Sequence, residues 1–192
     1  MQRIAEWRGG TPENWGSWRP GYGVEDADRV AAMLADGEAA QVRVREAVLT
    51  IDQERARDQV LSLGIWVPDR STGEVAADLL LFLAPTESGA PTTAAEVFET
   101  QKRKPRQRGV KLYHYDVSVA EVNAGEAVIA TRSYADKKTK QVLTTVEWTV
   151  IPPDSRELLF LVMTTPYAAL AESLADQSVV IVNQLAVDLE QA

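Results

Sequence analysis

The chain of 192 residues contains no cysteine. That absence excludes disulfide staples, a thiolate nucleophile and a cysteine-ligated metal, and it leaves thiol usage silent on the redox compartment. A single histidine, His114, excludes any intrachain site built on two imidazoles. Apolar runs are short throughout. None approaches the roughly 20 residues that a spanning helix needs, and the N-terminus carries no apolar run of signal-peptide length. These absences lead to the expectation of a cytoplasmic protein without a membrane span. Basic residues are also scarce, 20 Lys and Arg against 28 Asp and Glu. The resulting net charge of -8 disfavours nucleic acid as a partner, because phosphate binding depends on a positive field.

What is present is the composition of a globular domain, 45% hydrophobic and 25% charged. A chain of this size buries roughly 70% of its unfolded surface, so a core needs no staple. Residues 1–23 stand apart. They hold Trp7, Trp15, Trp18 and Tyr22 among glycines and prolines, which predicts an irregular arm attached to a single domain over 24–192. From Glu25, the spacing of Ala27, Val30, Ala31 and Leu34 predicts a short amphipathic helix that Asp36-Gly37 stops.

Three segments then read as strands, Gln41 to Ile51, Val60 to Val67 and Val75 to Leu83, with a hairpin turn at Arg70-Ser-Thr-Gly73. Thr93-Ala-Ala-Glu96 is a capping box that opens a helix ending before Pro105. From Val110 the period becomes two, and four strands follow as an antiparallel meander. The last of them, Glu157 to Thr164, is apolar on both faces and is expected to be central or covered on both sides. Thr165-Pro166 and the spacing of Leu170, Leu174, Ile181, Leu185 and Leu189 predict one long C-terminal helix. Its Leu170, Leu174, Ile181 and Leu185 are expected to cover a core holding Tyr113, Tyr115, Val117, Val119, Val146, Trp148, Phe160 and Val162. The order is that of an α+β fold, an antiparallel sheet flanked by helices.

Several features could carry chemistry. His114 and Asp116 share one strand face and could serve as base and orienter to Ser118 or Ser133. Same-face neighbours on one strand are roughly 7 Å apart and solvated, however, and no nucleophile-elbow sequence is present, so a wet sheet face is the reading adopted. The acidic groups Glu25, Asp26, Asp28 and Asp52, Glu54, Asp58 lack calcium-loop spacing and read as solvated helix faces. No catalytic residue, metal ligand or cofactor is assigned.

Two groups remain as candidate interaction residues. Lys102, Arg103, Lys104, Arg106, Arg108 and Lys111 concentrate basic charge in an acidic chain. They form either a solvated helix end or a dock for a protein with an acidic surface. Trp15, Trp18 and Tyr22 either fold back over the sheet or present anchors to a partner.

From Leu79 onward the chain resembles the PsbP-like family, which includes DcrB-type bacterial proteins and the Ran-release factor Mog. Three pieces carry the resemblance, over roughly Val60 to Glu190. They are the strand Leu79 to Ala84 leading through a proline-rich loop to the helix Thr93 to Lys104, the hairpin Asn123-Ala-Gly-Glu-Ala127 leading into Ile129 to Tyr134, and Leu158 to Thr165 feeding the final helix. The resemblance implies an α/β/α sandwich, mostly non-enzymatic, that binds proteins or small ligands. This chain departs from the family in lacking a lipobox or signal and in its tryptophan-rich arm. The expected function is a non-enzymatic protein-interaction or scaffold domain; the alternative is a small-ligand carrier with a pocket between the arm and the sheet.

Overall fold

A computed structural model describes residues 2–21, 23–55, 59–87, 89–103 and 109–191. The elements in chain order are β1 (Gln2–Arg8), β2 (Trp15–Trp18), α1 (Val24–Leu34), α2 (Glu38–Arg55), β3 (Val60–Trp66), β4 (Ala77–Pro85) and α3 (Ala94–Gln101). They continue as β5 (Val110–Val122), β6 (Gly125–Asp136), β7 (Val142–Ile151), β8 (Glu157–Thr165), α4 (Ala171–Asn183) and β9 (Ala186–Gln191). Seven strands form one antiparallel sheet in the order β2-β3-β4-β8-β7-β6-β5. The doubly apolar β8 is central, between β4 and β7, one of the two placements its sequence allows. β1 and β9 pair antiparallel as a separate ribbon, bringing the two ends of the chain together.

The sheet is covered on both faces. On one, Leu79, Leu81, Val146, Trp148, Leu161 and Met163 pack against Leu174, Ile181 and Leu185, with Ile4 of the ribbon joining the same cluster. The Trp148 indole N–H donates to Ser178 Oγ at 2.9 Å and ties α4 down. On the other face, Leu63 and Ile65 meet Val30, Leu34, Val44 and Val48 of α1 and α2. Ala94 and Phe98 of α3 pack against Val128, Ile151 and Phe160. The result is the α/β/α sandwich that the α+β reading expected. The capping box is intact, with Thr93 Oγ1 accepting from the Glu96 N–H and the Glu96 carboxylate accepting from the Thr93 N–H.

Four expectations need correction. The segment 1–23 is not irregular, because β1 and β2 lie within it. Gly16 makes this possible: a Cβ there would sit 2.8 Å from Leu34 Cδ1 and Val30 Cγ1, so only glycine lets β2 pass beneath α1. Gln41 to Ile51 is not a strand but part of α2, whose buried positions Ala40, Val44, Val48 and Asp52 recur every four residues. The C-terminal helix stops at Asn183, and Leu189 belongs to β9.

The fourth correction concerns the expected core. Val146 and Trp148 face α4, whereas Val117 and Phe160 pack on the opposite face beside α3. Tyr113 and Val119 are 58% and 53% exposed, because β5 is an edge strand that few side chains cover. Leu174, Ile181 and Leu185 are buried as expected.

Candidate interaction surfaces

Two aromatic residues of the N-terminal segment, Trp15 and Trp18, are inside, 2% and 3% exposed. Trp15 stacks on its cross-strand partner Trp66 with ring centroids 6.1 Å apart. Trp18 donates its indole N–H to Asp52 at 3.1 Å, and the same carboxylate oxygen accepts from the Gly21 N–H at 3.0 Å. Both rings therefore pack against their own domain instead of standing out as anchors. Tyr22 lies outside the described residues, as do Lys104, Arg106 and Arg108.

Lys102 and Arg103 are exposed at the C-terminal end of α3. Lys102 pairs with Glu99 and lies over the Phe98 ring. The Tyr115 hydroxyl donates to the Gln101 carbonyl, which holds this end of α3 against β5. Lys111 is exposed on β5, over the ring of Tyr113 at 4.7 Å. Lys137, Lys138 and Lys140 lie between β6 and β7, outside the basic run that the sequence singles out. The structure brings that turn beside the start of β5, since Lys137 N–H donates to the Gly109 carbonyl at 2.9 Å and Val110 pairs with Asp136. Asp136 is occupied within the turn, accepting from the Lys138 and Thr139 N–H groups at 2.7 and 2.8 Å, and these bonds hold its carboxyl below the usual range. A signal for this cluster was available: every lysine of the chain lies between positions 102 and 140.

His114 and Asp116 are both exposed on β5, and no hydrogen bond joins them among the described residues. They stand on an open strand surface, where a base and its orienter have no wall to exclude water.

An open groove of about 480 Å³ lies between the end of β1 and the corner of β2 and α1. Trp7, Ser17 and Ser62 line it together with three guanidinium groups. Arg8 pairs with Asp188 at 2.5 Å, and Arg29 pairs with Asp26 at 2.7 Å while donating to the Ser17 carbonyl at 2.9 Å. Arg19 has no ion-pair partner among the described residues. A second open cleft, about 400 Å³, lies on the sheet face beside the end of α2, over Leu80 and Phe82.

No family model matches the chain, and no curated protein matches it. Solved structures do. LpqN of Mycobacterium tuberculosis, described as involved in cell envelope biogenesis, aligns at a TM-score of 0.54 with 14% identity, over 97% of this chain and 90% of that one. A Pseudomonas aeruginosa protein of unknown function, PA94, aligns at 0.43 with 16% identity, over 65% of this chain and 83% of that one. A Bacteroides thetaiotaomicron protein aligns at 0.40 with 9% identity, over 97% of this chain and 48% of that one. Of these three, LpqN exceeds 0.5, and at its identity the likeness is one of fold. The chain thus has a distant, low-identity structural resemblance to proteins of this sandwich fold. No helix among the described residues is long and apolar enough to cross a membrane.

Proposed function

We propose that the chain is a non-enzymatic protein-interaction domain of the PsbP-like kind, and that its partner presents an acidic surface to the lysine-rich end of the β5–β6 hairpin. One observation carries this reading: in a chain of net charge -8, all the lysines fall between 102 and 140, and the turn that holds Lys137, Lys138 and Lys140 lies beside the start of β5, which holds Lys111. Lys111, Lys137, Lys138 and Lys140 stand there against Asp136, whereas Lys102 and Arg103 lie at the end of α3, where Gln101 bonds to Thr149 of β7. Such a local field steers an oppositely charged surface and fixes its orientation more than it adds affinity. The exposed positions of His114 and Asp116 support the non-enzymatic part of the reading.

The experiment is titration with fluorescein-labelled hexaglutamate, followed by anisotropy at low and physiological salt. Binding should weaken as salt rises and should fall at least tenfold in the Lys137→Glu/Lys138→Glu protein. Equal binding by parent and variant would refute the reading.

The groove favours a second reading, a small-ligand carrier, because Arg8, Arg19 and Arg29 converge on it beside Trp7. Its openness supports this less well than an enclosed cavity would. Quenching of tryptophan fluorescence by small carboxylates, lost in Arg19→Glu, is the corresponding test.

A further inference from the structure

The long edge strand beside the lysines has one unused capacity, its outward backbone. β5 ends the sheet, and no strand among the described residues pairs with its outer side. The hairpin to β6 closes through Asn123-Ala124, with Val122 opposite Gly125. The residues flanking a two-residue turn exchange their hydrogen bonds across the hairpin, and hydrogen-bonded and non-bonded pairs then alternate. Counting back from Val122, the N–H and C=O groups of Glu121, Val119, Val117 and Tyr115 point away from β6.

Edge strands are normally blunted by brevity, proline, a covering element or a bulge. The opposite edge, β2, has four residues and passes under α1. β5 has 13 residues and no proline. Its one bulge falls between Leu112 and His114, at the lysine end, so Tyr115 to Glu121 is left regular. Val119 stands 53% exposed in the middle of that stretch.

We infer that β5 accepts an extended segment of the acidic partner as an eighth strand of the sheet; this rests on the reading that the partner is acidic and docks at this end. Charge along the strand sets the polarity of the segment. Lys111 and the lysines of the β6–β7 turn lie at one end of β5, and Glu121 lies at the other. Carboxylates of the incoming strand must therefore gather at the lysine end. Apolar side chains belong beside Val117 and Val119, which share a face of the sheet. Main-chain hydrogen bonds supply the affinity in this mode, and alternate side chains supply the selectivity.

The probes are two labelled peptides, Val-Thr-Val-Thr-Glu-Glu-Glu-Glu and its reverse, because the strand could enter in either direction, together with a composition-matched scramble. One order should bind at least tenfold more tightly than the scramble. Amide exchange at Tyr115, Val117, Val119 and Glu121, rapid in the free protein, should slow at least tenfold in the complex, whereas Asp116 and Ser118 are slow in both. Val119→Pro removes an outward N–H without touching the bonds to β6, and it should abolish selective binding while Asp116 and Ser118 stay protected. If Lys111→Glu/Lys138→Glu weakens binding but Val119→Pro does not, and the outward amides remain unprotected, strand addition is overturned and acidic docking stands. If none of these changes matters, both readings fall.

Discussion

Asp78 is the residue whose charge the fold opposes most plainly. It is half-buried on β4, and burial pushes its carboxyl above the usual range, with Arg55 at 3.8 Å offsetting this only in part. The folded chain then holds this proton more tightly than the unfolded chain does. The stabilisation from that proton is complete below the unfolded value and is lost as pH rises through the folded one. Asp78→Asn, which mimics the protonated form, should therefore raise the melting temperature at neutral pH, and the gain should vanish under acid conditions. A lower melting temperature at neutral pH would show that the Arg55 pair outweighs burial. Asp69 and Asp136 behave oppositely. Hydrogen bonds from Ser71, and from Thr139 and Lys138, hold their carboxyls low, so their contribution is lost as pH falls through those lowered values. Asp69 is exposed, and Asp136 is half-buried as the last residue of β6.

Among the elements, α4 is the one whose packing the sequence foretold best. Leu174 is fully buried between α4 and the sheet, within the cluster that includes Trp148, Leu161 and Met163. Leu174→Ala should cost about 2 to 5 kcal/mol in a urea titration, the usual range for a cavity opened in a packed core. A change near zero would mean that α4 shifts to fill the space. Legibility varied with the range of the interactions. The capping box of α3, the alternation of β5 and β7 and the doubly apolar run of β8 could be read because their signals lie within a few residues. α2 was misread because Val42, Val44, Val48 and Ile51 favour strands locally, although its buried stripe every four residues was already in the sequence. The stop of α4 at Asn183 was hidden because the residues after it are recruited by β1, more than 170 positions away in the chain. The lysine cluster was half visible, since Lys111 stood within the basic run but its meeting with the β6–β7 turn depends on hairpin register.

At the scale of the whole molecule, the first 23 residues hold the structure together at two places. β1 pairs with β9 and inserts Ile4 into the core on the α4 side. The Ile4 N–H also donates to the Glu157 carboxylate at 2.7 Å, fastening the ribbon to the start of β8. β2 pairs with β3, where Trp15 covers Trp66, and Trp18 sits in the cluster of α1 and α2 with its indole N–H on Asp52. Removing residues 1–23 would expose Trp66, Leu63 and Ile65 along the new edge and leave β9 without its partner. The apolar area returned to water costs on the order of 25 cal/mol for each Å², and a buried tryptophan alone covers about 200 Å². The entropy recovered by freeing a glycine-rich segment offsets part of this. The truncated chain should accordingly lose several kcal/mol of stability, read as a lower urea midpoint. A segment that served only to dock a partner would instead leave the midpoint unchanged and alter the assembly seen by light scattering. The burial of Trp15 and Trp18 argues for the first outcome, because side chains already packed inside their own domain have no surface left to offer another.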